Sequence, residues 1–151
     1  MANYCENVLR VVGDYEDIAE FDRKFGDEGA GYHFDNLYPT PKLSVSDTCD
    51  WRKAHWGVKN NFYEDSLSKD YLIPGTMETC YYFDTPNTGP ELLIQHVSSE
   101  FKDLEFLLVF SEPTNDIGGI RKYYGGELVS CEVLSDEDRE YWFANDEAET
   151  A

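Results

Sequence analysis

The sequence predicts an α+β fold, in which one mostly antiparallel sheet carries two helices on one face. The first observation is that two strand-like segments are each followed by an amphipathic helical segment. The second is the pair Gly125-Gly126 between the last two strand-like segments, which is typical of a β-hairpin. One sequence does not fix the order of strands, so a different two-layer α+β topology is the alternative.

Residues 7–12 form the first predicted strand, because β-branched and apolar residues dominate them and a glycine follows. Asp14 takes the N-cap position of a predicted helix over residues 14–25. The apolar stripe of this helix, which we expect to be buried, consists of Ile18, Phe21 and Phe25.

The middle of the chain has weaker patterns. Residues 32–37 and 56–64 are interpreted as short strands, although prolines follow the first and a glycine weakens the second. Residues 43–55 are polar and mixed, which indicates a loop or a short helix. Residues 65–76 lack periodicity and contain Pro and Gly, so we expect a loop.

The second half of the chain has stronger patterns. Residues 78–84 and 105–112 are predicted strands, and the latter is the most hydrophobic of all, so we expect it near the sheet centre. Pro90 begins a predicted helix over residues 90–102. The buried face of this helix is predicted to contain Leu93, Val97 and Phe101.

This order of elements suits a ferredoxin-like sandwich. The length of 151 residues and the 41% hydrophobic content are sufficient for one domain with its own core. We therefore predict a ferredoxin-like domain over residues 1–134 and an acidic C-terminal extension over residues 135–151, which contains a short aromatic helix.

The chain is strongly acidic. It contains 12 Lys and Arg residues against 31 Asp and Glu residues, a formal net charge of −19 at pH 7. A field of this sign repels phosphate backbones and anionic lipids, so we expect no direct binding to nucleic acid or to membranes. The N-terminus has no secretory pattern, and no apolar run reaches the roughly 20 residues that a membrane span needs.

No catalytic motif and no glycine-rich phosphate loop is present, so we predict neither an enzyme nor a cofactor. The cysteines are widely spaced, at Cys5, Cys49, Cys80 and Cys131. This spacing indicates reduced, mostly buried thiols rather than a disulfide framework. The histidines that could ligate a metal, with Cys49 or Asp35, are His33, His55 and His96. None is near another in the sequence, whereas zinc sites use closely spaced pairs, so no metal site is predicted.

Basic and aromatic residues cluster in one segment, which contains Trp51, Arg52, Lys53, His55, Trp56 and Lys59. One interpretation is a site for a small anion or a nucleobase, in which cations lie over rings and bases stack. The residues that would bind the ligand are Trp51, Arg52, Trp56 and Lys59. The other interpretation, favoured by the net charge, is that both tryptophans anchor the core and the cations pair with nearby acids.

Acidic residues form two groups, one on the helix over residues 14–25 and one at the start of the C-terminal extension. A structural interpretation is that they are solvated faces that keep the protein soluble. A functional interpretation is that they dock into the basic nucleic-acid-binding groove of a partner protein. The candidate partner-binding residues are Asp14, Glu16, Asp17, Glu20, Asp136, Glu137 and Asp138.

Three short motifs occur in order along the chain. They consist of Asn3, Cys5, Asn7, Leu9, Val11 and Gly13; of Phe34, Leu37, Pro39 and Pro41; and of Trp51, Arg52, Trp56, Gly57 and Lys59. As an ordered set they resemble the YubB-like ferredoxin-like domain family carried by phages and conjugative plasmids. The resemblance extends to about Val133. It implies a ferredoxin-like fold and an origin on a mobile element, and it implies no activity.

The charge, the lack of a catalytic motif and the resemblance together lead to one hypothesis. The protein is expected to be a non-enzymatic phage or plasmid protein in the cytoplasm of a host bacterial cell. It would inhibit a nucleic-acid-handling defence complex, such as a CRISPR effector, by placing acids where phosphates would lie. The alternative is a small nucleic-acid accessory or ligand-binding domain that uses the Trp51–Lys59 cluster.

Overall fold

The structure is a computed structural model that describes residues 3–143. Its strands are β1 (Tyr4–Val12), β2 (Ser68–Lys69), β3 (Glu78–Pro86), β4 (Glu105–Glu112), β5 (Ile117–Tyr124) and β6 (Glu127–Glu132). Its α-helices are α1 (Tyr15–Phe25), α2 (Val45–His55), α3 (Glu91–Glu100) and α4 (Asp136–Phe143). Over this part of the chain, no helix has the length and apolar character that a membrane crossing requires.

The strands form one antiparallel sheet in the order β2-β3-β1-β4-β5-β6. β1 pairs antiparallel with both β3 and β4, so these two strands run parallel to each other on either side of it. α3 connects them, which gives the split β-α-β unit of a ferredoxin-like fold and confirms the predicted fold class. The predicted hairpin is also confirmed, since β5 and β6 are joined at Gly125 and Gly126, with φ of 62° and 87°.

α1 and α3 pack on the same face of the sheet, as predicted. Five helix side chains that were expected in the core are fully buried, namely Ile18, Phe21, Phe25, Leu93 and Val97. They share one hydrophobic core with alternate residues of the central strands, such as Leu9 and Phe106. This face holds the main core of the domain.

Phe101, which the sequence also predicts to be buried, is only partly buried. The backbone leaves the helical conformation at this residue, with φ of −112° and ψ of 72°, so α3 ends at Glu100. The Phe101 ring then lies at the rim of the core, where it meets Phe21 edge-on at a centroid distance of 5.5 Å.

The opposite face of the sheet is partly covered by α4. Its residues Trp142 and Phe143 pack against a small apolar cluster that consists of Val8, Cys80, Val109 and Leu134. Neighbouring strand residues point to opposite faces, so this cluster lies on the side away from α1 and α3. The C-terminal extension therefore contributes to the fold over residues 135–143, and residues 144–151 lie outside the described part.

The segment 32–37, predicted as a strand, contains instead a one-turn 3-10 helix, Phe34–Asn36. Phe34 and Leu37 are both buried. Their spacing of three residues suits a helical turn and not the alternation of a strand.

The segment 56–64, also predicted as a strand, is irregular. Gly57, which follows α2 closely, has a φ of 87°, a backbone conformation that favours glycine. The Asn61 side-chain oxygen accepts a hydrogen bond from the backbone N–H of Phe34 (3.0 Å), which ties the segment to the 3-10 turn.

Two further segments differ from the interpretation of the sequence in detail. Residues 43–55 contain α2, whose N-terminus is capped by the Ser44 hydroxyl, which accepts from the Asp47 N–H at 3.2 Å. Residues 65–76, predicted as a loop, contain β2, which pairs with β3 through two residues. So short a strand has no periodicity that the sequence could reveal.

Asp14 occupies the N-cap position of α1, with the extended backbone angles that a cap requires (φ −68°, ψ 146°). The predicted N-cap position is therefore confirmed, although the carboxylate accepts no hydrogen bond from the helix. The backbone carbonyl of Asp14 accepts from the Ile18 N–H (3.0 Å), and the side chain is exposed.

Candidate functional site

The solvent side of α1 carries the first predicted group of acids. Asp14, Glu16 and Glu20 are exposed, and Asp17 is half-buried. They lie on this side because the apolar stripe of the helix turns its other side into the core. The structure therefore brings together all four acids that the sequence proposed for this surface.

A residue that is distant in the sequence extends the group. A groove of about 360 Å³ lies between α1 and the turn after α3, and its acidic lining residues are Asp17, Glu20, Glu100 and Asp103. Two lysines line it as well, of which Lys24 pairs with Glu100 at 3.2 Å. We define the α1 acidic surface as Asp14, Glu16, Asp17, Glu20 and Asp103. Asp103 was missed because no local pattern joins the α3–β4 turn to α1.

The carboxylates of the α1 acidic surface repel one another. Burial raises the pKa of Asp17 above its ordinary value, and the nearby carboxylates of Asp103 and Asp14 raise it further. Glu20 and Glu16 act in the same direction. A cation close to these carboxylates would relieve this repulsion.

Asp22 lies on the same helix but is not part of this surface. Its carboxylate accepts hydrogen bonds from the Tyr81 hydroxyl (2.7 Å) and the Lys69 ammonium (2.8 Å). The Tyr32 hydroxyl donates to it as well, at 3.0 Å. Burial, followed by the charge of Asp22, raises the pKa of Tyr81. Asp22 therefore joins α1 to β2 and β3, and its role is structural.

The second group of acids lies at the N-terminus of α4. Asp136 and Glu137 are exposed, and Asp138 takes part in a reciprocal cap. The Ser135 hydroxyl accepts from the Asp138 N–H, and the Asp138 carboxylate accepts from the Ser135 N–H, both at 3.1 Å. Since α4 and α1 lie on opposite faces of the sheet, the structure does not bring the two acidic groups into one surface.

Trp56 is fully buried, which confirms its interpretation as a core anchor. Its ring meets Phe34 edge-on at a centroid distance of 5.6 Å, and its Nε1–H donates to the Tyr38 carbonyl oxygen at 2.9 Å. A ring without exposed surface has no face for a nucleobase. The alternative assignment of Trp56 as a ligand-binding residue is therefore corrected.

Arg52 is likewise occupied within the fold. Its guanidinium lies over the Trp56 ring, 4.6 Å from the centroid, and 3.4 Å from the Asp35 carboxylate. It also donates to the Thr40 hydroxyl (3.1 Å) and to the Asn60 side-chain oxygen (3.0 Å). These contacts satisfy the guanidinium within the protein, as the structural interpretation of the cluster expects.

Trp51 and Lys59, the other two alternative ligand-binding residues, are half-buried. The Trp51 ring stacks on His55, with centroids 4.2 Å apart and planes 12° apart. The four candidate ligand-binding residues, Trp51, Arg52, Trp56 and Lys59, therefore do not form an open stacking site. The Trp56 ring in particular is not accessible to a ligand.

The histidines are placed among aromatic rings. His96 stacks on Tyr38 at a centroid distance of 3.7 Å, and His55 meets the same tyrosine edge-on at 5.9 Å. Thus two histidines that are distant in sequence come close in space. Burial lowers the pKa of His33, whose Nδ1 accepts from the Asp35 N–H at 2.9 Å. Within residues 3–143, no three His, Cys, Asp or Glu side chains are arranged to hold a metal ion.

The four thiols are all free. Cys5 and Cys80 are buried, as expected, and burial raises the pKa of both thiols, that of Cys5 to about 12. Cys49 is half-buried and Cys131 is exposed on β6, so the expectation of mostly buried thiols is met by only two of them.

Comparison with known proteins agrees with this architecture. The family described as the ferredoxin-like domain in Api92-like protein matches residues 63–151. The chain is similar to the crystal structure of protein Api92 from Yersinia pseudotuberculosis, with 11% sequence identity and a TM-score of 0.64. The similarity covers 89% of this chain and 99% of that chain, and at this identity it shows the fold alone. No curated protein matches the sequence. Because the family match spans more than half of the chain, the protein belongs to the Api92-like family with this ferredoxin-like domain.

Proposed function

We propose that the protein is a non-enzymatic inhibitor that binds the basic nucleic-acid-binding groove of a host defence complex, such as a CRISPR effector. The observation that carries the proposal is the α1 acidic surface, where Asp17 is coupled to four neighbouring carboxylates. Lysines and arginines that contact phosphates in such a groove would contact these carboxylates instead. Attraction between opposite charges would also speed the encounter of the two proteins.

The proposal includes an origin on a phage or conjugative plasmid and a place in the bacterial cytoplasm, as the resemblance to the YubB-like family implies. The motif residues of that resemblance have structural roles here. Asn7 Nδ2 donates to the Phe83 carbonyl oxygen (3.2 Å) and the Thr85 hydroxyl (2.9 Å), and Trp56 is buried. The resemblance thus supports fold and origin, whereas the mode of binding is supported by the acidic surface.

We assign the docking face to α1 rather than to α4. The acids at the N-terminus of α4 already stabilise their own helix, since Asp138 caps it and Asp136 and Glu137 lie in its first turn. A partner seated on α1 faces the other side of the sheet. The α4 acids therefore provide an internal comparison for any experiment on α1.

The first experiment measures competition with DNA. The full chain is used to capture its partner from lysate of a host bacterium, and the purified partner is then loaded with labelled DNA. Wild-type protein is expected to displace the DNA, and to do so less well as salt rises to physiological levels, where screening limits the field to about 8 Å. A variant with Asp14, Glu16, Asp17 and Glu20 changed to Lys is expected to lose displacement by at least about tenfold.

A matched variant changes four exposed acids elsewhere to Lys, namely Asp47, Asp50, Glu127 and Glu132. It alters the net charge equally and is expected to retain most of the activity. A third variant with Asp136, Glu137 and Asp138 changed to Lys tests the α4 group. Equal losses in the α1 variant and the matched variant, or displacement that salt does not weaken, would show that the α1 acidic surface is not the docking face.

A further inference from the structure

A second acidic groove lies on the open face of the sheet, on the side away from α1. One cavity of about 590 Å³ lies between β1, β3 and α4, and a neighbouring cavity of about 560 Å³ shares Ser66 and Asp84 with it. Their aromatic lining residues are Tyr4, Tyr63, Tyr82, Phe83, Tyr141, Trp142 and Phe143. Their charged lining residues are Glu6, Arg10, Glu64, Asp65 and Asp84. We call this pair of cavities the sheet groove.

Asp84 lies where the two cavities meet. Its carboxylate is half-buried, and burial raises its pKa. In the described part of the chain, no Lys, Arg or His side chain pairs with it. The residue directly opposite in the β1–β3 register is Glu6. The register therefore places a second acidic residue on the same face of the sheet as Asp84.

Arg10 shows how this groove holds a guanidinium. Its Cζ lies 4.8 Å from the centre of the Trp142 ring, and its Nε lies 3.9 Å from the Glu78 carboxylate. A ring and a carboxylate also lie side by side further along β3. Tyr82 and Asp84 are two residues apart and therefore share one face of the sheet. Among residues 3–143, no guanidinium is paired to the carboxylate of that second combination.

We propose that the sheet groove binds an arginine side chain from a basic segment of a partner protein, with the guanidinium paired to Asp84 and stacked on a groove ring. Four of the five charged residues that line the groove are acidic and one is an arginine. This negative lining would repel the phosphates of a nucleic-acid strand. The rings favour a flat, weakly hydrated guanidinium over the compact ammonium of a lysine or polyamine. The inference does not rest on the proposed function, since it uses neither the α1 acidic surface nor competition with DNA.

The experiment titrates the full chain with the peptide acetyl-(Arg-Gly)3-amide at physiological salt and measures the Kd by calorimetry. The same peptide with citrulline in place of arginine keeps the shape and removes the charge. Asp84→Asn is expected to raise the Kd for the arginine peptide about tenfold, the size of a half-buried pair with stacking. Asp50→Asn removes one exposed carboxylate from α2, outside both the sheet groove and the α1 acidic surface, and is expected to change the Kd less than about twofold.

A second variant covers the case in which Asp84→Asn disturbs the fold. Tyr141 is 67% exposed on α4, so Tyr141→Ala leaves the core intact, and it is expected to raise the Kd about threefold. Thermal melts of both variants establish that they are folded. Equal effects of Asp84→Asn and Asp50→Asn, equal binding of the citrulline peptide, or unchanged binding in both groove variants would overturn the proposal.

Discussion

Replacement of Trp56 by Ala separates a structural role of the tryptophan from a ligand-binding role. The ring is fully buried and contacts Phe34 edge-on, while its Nε1–H donates to the Tyr38 carbonyl oxygen at 2.9 Å. The Arg52 guanidinium covers the ring at 4.6 Å. The substitution removes the ring from the core. The Tyr38 carbonyl oxygen then loses its hydrogen-bond donor, and the Arg52 guanidinium loses the ring on which it lies.

The expected loss follows from these contacts. Removing a large core aromatic costs about 3–5 kcal/mol in free energy of unfolding. The lost hydrogen bond adds about 1 kcal/mol. A domain of this kind is stable by only about 5–15 kcal/mol, so the variant is expected to lose a large share of its stability. At about 2–4 °C for each kcal/mol, the melting temperature falls by about 10–20 °C.

Thermal and urea denaturation followed by circular dichroism measure this loss. Trp56→Phe keeps most of the ring volume and is expected to lose clearly less stability than Trp56→Ala. A Trp56→Ala variant that melts within about 2 °C of wild type would refute the reasoning, because a change of that size corresponds to about 1 kcal/mol or less.

Two further predictions concern stability. Leu93→Ala is expected to cost about 2–5 kcal/mol in urea denaturation because Leu93 is fully buried, whereas Leu92→Ala next to it, at a 43% exposed residue, is expected to cost less than about 0.5 kcal/mol. Glu112→Gln tests pH dependence: burial opposes ionisation of Glu112, but the N–H groups of Asn115 (2.8 Å) and Thr114 (3.0 Å) lower its pKa below 4.5 overall. A lowered pKa in the folded state stabilises the fold above the unfolded value and loses this effect as the pH falls through the folded value. Glu112→Gln should therefore have a lower urea midpoint than wild type at neutral pH, and the two midpoints should lie closer together in acid. If the two midpoints differ by the same amount at both pH values, Glu112 does not have a lowered pKa in the folded protein.

The parts of the fold that the sequence predicts well are those whose signal is local. The stripe of Ile18, Phe21 and Phe25 reports one buried helix face, and all three are buried. The hydrophobic run of residues 105–112 matches β4 from end to end because this strand is enclosed by neighbours on both edges. In each case the periodicity or composition of a few residues is enough.

The parts that the sequence does not predict depend on contacts between distant residues. β2 exists because two residues meet the edge of β3, and the turn at Phe34–Asn36 is stabilised by Asn61 of another segment. Asp14 occupies the N-cap position as its residue type indicates, but the residue type does not determine whether its carboxylate accepts a hydrogen bond from the helix. Propensity describes what a segment can form, and tertiary contacts select among the possibilities.

The candidate site follows the same division. The acids of α1 are found from the sequence because they share one helix. Only the three-dimensional structure shows that Asp103 lies near the acids of α1. It likewise shows that Asp22, on the same helix, is hydrogen-bonded within the fold. The sheet groove could not be found at all, since the Glu6–Asp84 opposition arises from the register of two strands that lie far apart in the sequence.

The distribution of charge argues against solubility as the only reason for the acidity. A surface that serves solubility alone mixes charges of both signs and avoids large fields of a single sign. Asp17 and Asp84 have raised pKa values, the first from burial and neighbouring carboxylates and the second from burial. A raised carboxylate pKa is a cost to the folded state at neutral pH, because ionisation is then less favourable than in the unfolded chain. A cation bound beside either residue would remove that cost and lower the pKa again. These two residues, on opposite faces of one sheet, are where the two proposals place a bound cation.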